Sequence, residues 1–186
     1  MDDLLIGDKN ALMLGTRVLG YGPNYDTMIT DPDTGLEVEY SFDLTKLETK
    51  EVDDALFKSG ENKFEFTLPH SKRVIEFKML THKDERDIEA EVEGYKKIAQ
   101  ATGVSNELTT RLKRQIISVD GETDKTKIND FVDNQFLARD TREFRKYQTE
   151  ITPDIIFESE YISQIGEPHK VNVPIGVRFF WPESEL

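Results

Sequence analysis

The residue types that most often do chemistry are few and scattered in this chain of 186 residues. Its three histidines, His70, His82 and His169, stand in unlike contexts, with no His-Glu-x-x-His or paired helical spacing to set them around a metal. There is no cysteine, which removes disulfides, thiolate zinc sites and a cysteine nucleophile together. Carboxylates are too plentiful for nearness in sequence to mean much. Asp31 and Asp33, in the stretch Asp31-Pro32-Asp33-Thr34-Gly35, could take a cation, but the calcium-loop pattern is missing. Turn chemistry accounts for both, since Asp, Pro and Gly supply the dihedrals that a tight turn needs. Gly15, Gly20 and Gly22 fit neither common phosphate-loop spacing, and they close a helix where a phosphate site would open one. No Gly-x-Ser-x-Gly elbow is present. No catalytic residue, cofactor-binding residue or metal ligand is therefore assigned, and no cofactor is expected.

The segment around that turn, Met28 to Leu44, has the outline of a zinc knuckle, two strand-like runs flanking a tight tip, yet without the cysteines. Leu36, Val38, Tyr40 and Phe42 fall on one face and Glu37, Glu39 and Ser41 on the other, so one face is buried. Ahead of it, Asn10 to Leu19 reads as an apolar helix buried on most sides, stopped by Gly20 and Gly22. Lys63 to Pro69 and Arg73 to Leu80 form a second strand pair, giving an antiparallel sheet or two packed hairpins. Thr81 to Asp84 is a capping-box-like start to a helix with the stripe Ile88, Val92, Tyr95, Ala99, and Gly103 is its stop. Ser105 caps another helix carrying Leu108, Leu112 and Ile116, which ends at the polar turn around Asp120-Gly121. Ile128, Phe131, Val132 and Phe136 suit a further helix, and Leu137, Phe144, Tyr147 and Ile151 one more, starting near Asp140. After Pro153, two β-like runs return around the loop Gln164 to Pro168.

These readings give an α+β fold: an N-terminal helix with antiparallel hairpins, a central helical section, and a C-terminal hairpin packing on the N-terminal β part. Its divisions are residues 1–80, 81–152 and 153–186, the last completing one compact fold with the first. The formal net charge of −13 argues against nucleic acid, because phosphate contacts need clustered Lys and Arg. No apolar run is long enough to span a membrane, and the start of the chain lacks the basic and apolar parts of a signal peptide. A soluble protein made in the cytosol is the expectation, with no small-molecule ligand.

The most distinctive segment is the last, Val173 to Leu186, in which Phe179, Phe180 and the single tryptophan, Trp181, precede Pro182 and an acidic end. It reads as a final strand whose aromatics seal the core, or as an anchor for a partner protein. With "NALMLGTRVLGYGPNYD", the hairpin ending "FDL", "FEFTLP", "EFKMLTHKDERDI", "LARDTREFR" and "VPIGVRFFWP", the chain resembles the T4-like phage baseplate family, specifically its hub assembly subunit. In related sequences two hairpins carry Cys-x-x-Cys knuckles, and here the corresponding tips read "DPDTG" and "EYISQIG". The resemblance implies a cysteine-free, degenerate zinc ribbon, with the metal replaced by turn chemistry and apolar packing. It implies a non-enzymatic structural or assembly protein of a contractile tail that helps to build the central hub by protein–protein contacts. Its partners would be other baseplate or hub proteins, met in the host cytoplasm during assembly or in the virion. Phe179, Phe180 and Trp181 are the residues expected to bind them. The alternatives are a small hydrolase-like enzyme with an unrecognised site and a host adaptor protein.

Overall fold

A computed structural model describes residues 2–57, 61–98 and 107–181. The described chain forms two compact units, each assembled from segments distant in sequence. One takes the residues up to Ile6 with Val52–Thr152. The other takes Gly7–Glu51 with the segment from Pro153 on.

The first unit holds a three-stranded antiparallel sheet, β4 (Phe64–Thr67), β5 (Val74–Phe77) and β6 (Ile116–Val119), in the order β4-β5-β6. Helices α2 (His82–Ile98), α3 (Glu107–Gln115), α4 (Lys125–Asp130) and α5 (Ala138–Ile151) complete it. Its core joins Phe64, Leu68, Ile75 and Phe77 of the sheet region to Leu112, Ile128, Phe131 and Phe144 of the helices. Helix α2 opens with the expected reciprocal cap: the Thr81 hydroxyl accepts from Asp84 N–H at 3.2 Å, and the Asp84 carboxylate accepts from Thr81 N–H at 3.1 Å. Ile88 and Val92 of its stripe are buried, whereas Tyr95 is exposed. Ala99, Gly103 and the Ser105 cap lie outside the described residues.

One sequence reading of this unit needs correction. Ile116 does not extend α3. Ile116–Val119, with three β-branched residues in four, pairs with β5, where Ile116 and Val119 are buried and Ser118 Oγ donates to Glu76 at 2.6 Å. Here tertiary pairing outweighs the helical spacing. The Asp120-Gly121 turn that follows has both residues at positive φ, 51° and 81°, which only residues of this kind take readily. The helix expected over Ile128 to Phe136 is present as α4 and a widened turn, Phe131–Gln135.

The second unit packs α1 (Ile6–Tyr21) with hairpins β1-β2 (Asn24–Thr30, Glu37–Asp43) and β8-β9 (Glu158–Ile162, Pro168–Asn172). A two-residue pairing of β3 (Glu48–Thr49) with β7 (Ile155–Ile156) ties the segments together. The two strand pairs expected to form one sheet or two packed hairpins are separate sheets in different units. Tyr25, Ile29, Phe42 and Leu44 from the first segment share a core with Tyr161, Val173 and Phe179 from the last. The C-terminal hairpin thus packs on the N-terminal one. Val38, Tyr40 and Phe42 face that core, as their alternation requires, but Leu36, read onto the same face, precedes β2 in the turn and is exposed.

Two further readings change in this unit. Helix α1 is not buried on most sides: Leu19 is 89% and Leu12 50% exposed, while Leu14 and Val18 pack on the core and Arg17 is buried. It is a one-sided surface helix whose outer face mixes Leu12, Leu19 and Tyr21 with Asp8 and Thr16. The aromatic tail is not a strand but one turn of helix, α6 (Val177–Phe180). The β9 pairing stops at Asn172, and Pro174 has no N–H to carry a ladder further.

Candidate functional site

The turn of the first hairpin is closed by its own aspartate. One carboxylate oxygen of Asp31 accepts from Asp33 N–H at 3.0 Å and Thr34 N–H at 2.9 Å, and Gly35 takes φ 69°. The turn-chemistry reading holds at this end. The second oxygen reaches the other hairpin, accepting from the Tyr161 hydroxyl at 2.7 Å and Gln164 N–H at 2.9 Å. One fully buried carboxylate therefore bolts the two tips together.

Four donors converge on that group, so its charged form is strongly favoured. The Gln164 N–H, the largest contribution, outweighs desolvation, and with Thr34, Tyr161 and Asp33 it holds Asp31 far below the usual carboxylate range. Tyr161 responds in the opposite sense, its phenol pushed up to about 12, first by the bond to Asp31 and then by burial. It remains a donor at neutral pH. A second link runs beside the first: His169 Nε2 lies 2.8 Å from Asp33 Oδ2. The Ser163 hydroxyl, then His169, lower the Asp33 carboxyl. Asp31, Asp33 and His169 are thus brought together across more than 130 residues of chain. His70 sits on the β4–β5 turn, where its N–H and that of Ser71 donate to buried Asp140, and His82 opens α2. Among the described residues, no group of three or more His, Asp or Glu side chains is placed to hold a metal ion.

Phe179, Phe180 and Trp181 have three different environments. Phe179 is fully buried and meets Tyr25 edge-on at 5.1 Å between ring centroids. Phe180 is half-buried against Phe179, and Trp181 is 62% exposed beside it. Beneath them lies a residue the sequence reading passed over, Arg17, whose guanidinium faces Tyr21, Tyr25 and Phe179 at 5.0–5.9 Å. It also donates to the carbonyls of Gly22 and Asn24. A lone arginine inside an apolar helical run was the signal available. Ile175, Val177 and Trp181 are exposed around this cluster, and Leu36, Ile162 and Ile165 are exposed at the hairpin tips. A polar cleft of about 530 Å³ in the same unit mixes Lys46 and Lys170 with Asp43, Glu48, Glu158 and Glu160.

This unit thus combines two cross-linked hairpins with many exposed apolar side chains. The sequence matches the family described as T4 bacteriophage base plate protein over residues 1–147, and the chain belongs to that family. It is a structural or assembly protein of the phage baseplate. The match spans "NALMLGTRVLGYGPNYD" and "LARDTREFR" but ends before "VPIGVRFFWP". Comparisons with curated proteins and with solved structures found no match.

Proposed function

We propose that this protein helps to build the central hub of the baseplate, without catalysis, through contacts made by the unit that joins its two chain ends. The observation that carries the reading is the concentration of exposed apolar side chains there: Leu19, Leu36, Ile162, Ile165 and Trp181 are each 59–89% exposed. Large apolar side chains exposed in such number mark protein–protein contacts, and a tryptophan over a rigid base is a favoured anchor. Within the aromatic trio the roles divide. Trp181 and the outer edge of Phe180 meet the partner, and Phe179 fixes them from the core.

The tips fit a degenerate zinc ribbon in which a carboxylate has taken the place of a metal. A ribbon zinc joins two knuckles by four bonds, and Asp31 joins these two tips by four hydrogen bonds, two from each side. The polar groups of the tips are engaged with one another, as suits a structural rather than a reactive role. The protein acts during assembly in the infected cell and takes its place in the virion tail. Trp181→Ala in the full chain tests the surface. Baseplate proteins co-isolated from infected cells should fall at least tenfold with the fold unchanged by circular dichroism. Undiminished recovery would overturn the assignment of that surface.

A further inference from the structure

Most basic side chains of the helical unit are neutralised by their neighbours. Arg111 pairs with Glu85 and Glu107, Arg114 with Asp87 and Glu91, Arg73 with Asp120, and Lys78 with Asp84. Helix α5, the "LARDTREFR" segment, departs from this pattern. Among the described residues Arg139, Arg142 and Arg145 form no ion pair, although the whole chain carries 37 acidic residues against 24 basic ones. Arg142 and Arg145 border a groove of about 570 Å³ between α3 and α5. Its floor is apolar, made by Leu108, Leu112, Val132 and Phe136, with Leu108 40% exposed. The α5 wall uses Ala138, Thr141, Arg142, Arg145 and Thr149, spaced three, one, three and four, which is one helical face. Its opposite face, Phe144 and Ile151, lies in the core.

We propose that this groove receives an acidic amphipathic segment of another baseplate protein, its apolar side chains on the floor and its carboxylates against Arg142 and Arg145, while Lys146 beside them is paired with Glu150. Charge complementarity identifies the occupant. In a chain of net charge −13, a groove edged by unpaired guanidinium groups attracts carboxylates and repels cations, and Arg engages carboxylates two bonds at a time. The apolar floor selects a peptide over a polynucleotide, whose phosphates need a longer basic track. The inference rests on the baseplate reading for the kind of partner, but it concerns the helical unit rather than the aromatic surface.

The test places a photo-crosslinking residue at Thr149 of the full-length tagged chain in phage-infected cells and sequences the crosslinked peptides. The expected product is a peptide from a different baseplate protein, with net negative charge and apolar residues at three- and four-residue spacing. Its yield should drop at least tenfold in Arg142→Glu/Arg145→Glu and persist in Arg142→Lys/Arg145→Lys. Both pairs are exposed, and circular dichroism checks their folding. Crosslinks to nucleic acid, to a second copy of this chain or to a segment without acidic excess would overturn the proposal, as would indifference to charge reversal. No crosslink from a chain that still co-isolates with baseplate proteins would refute the groove alone. A chain that co-isolates with none would refute the proposed function and the groove with it.

Discussion

At the scale of the residue, Asp31 carries the most weight, and its contribution depends on pH in a defined direction. Its folded carboxyl lies below the unfolded value of 3.8, as does that of Asp33. The stabilisation is therefore complete above that value and is lost as pH falls through the folded one. Asp31→Asn should lower the denaturation midpoint of the full chain at pH 7, and its deficit relative to wild type should begin to narrow below about pH 4. A deficit unchanged down to pH 3 would show that charge on Asp31 is not what holds the tips. The aromatic trio separates by burial. Phe179→Ala removes a fully buried ring and should cost roughly 3–5 kcal/mol in chemical denaturation, whereas Trp181→Ala should change stability little. Equal costs would mean that both rings are core. The sequence showed Asp31 as a turn residue because its bonds to Asp33 and Thr34 are local. Its bonds to Tyr161 and Gln164 span 130 residues or more and leave no mark on spacing.

At the scale of the element, helix α1 is fastened at two points. Near its start, Gly7 comes so close to Pro153 that an added Cβ would lie 2.0 Å from the carbonyl oxygen. Gly7→Ala should therefore destabilise the unit by about 1–3 kcal/mol, read from its denaturation midpoint, because backbone cannot yield as a side-chain tip can. Near its end, Arg17 is held by three rings and two carbonyls, and Arg17→Ala should cost roughly 1.5–3 kcal/mol. The hairpin tips make a different prediction. Since Asp31 occupies the bridging role, a zinc titration of the purified chain at pH 7 should reveal no tight equivalent, and one tight equivalent would contradict the degenerate-ribbon reading. Elements with local signals were legible: the Thr81–Asp84 cap, the alternation of β2 from Val38 to Phe42 and the Phe144, Tyr147, Ile151 face of α5 stand where their patterns put them, whereas Leu36 and Leu137, the first residue of each apolar pattern, lie just outside the element and are exposed. Ile116 and the aromatic tail were not legible. A short β-branched run has the same apolar spacing in either state until a neighbouring strand selects one. The tail's single helical turn follows from where the β9 ladder ends.

At the scale of the whole molecule, the chain interleaves two units, and one of them exists only because Gly7–Glu51 and the segment from Pro153 on find each other. That pairing was legible as two matching hairpins, but the buried carboxylate that joins them was not. The arrangement makes the second unit depend on two segments distant in sequence, so it cannot be complete until the β8-β9 hairpin has been synthesised. Leu19, Ile162, Ile165 and Trp181 are exposed on this unit, and the proposed partner contacts are assigned to them. The central claim, that the covering partners are hub proteins, is tested most directly by isolating the tagged full-length chain from phage-infected cells and comparing soluble assembly intermediates with finished particles by mass spectrometry. Hub proteins are expected with the chain in the intermediates, and the chain itself in the particles. Recovery of baseplate proteins other than those of the hub, or of no tail protein at all, would contradict that claim.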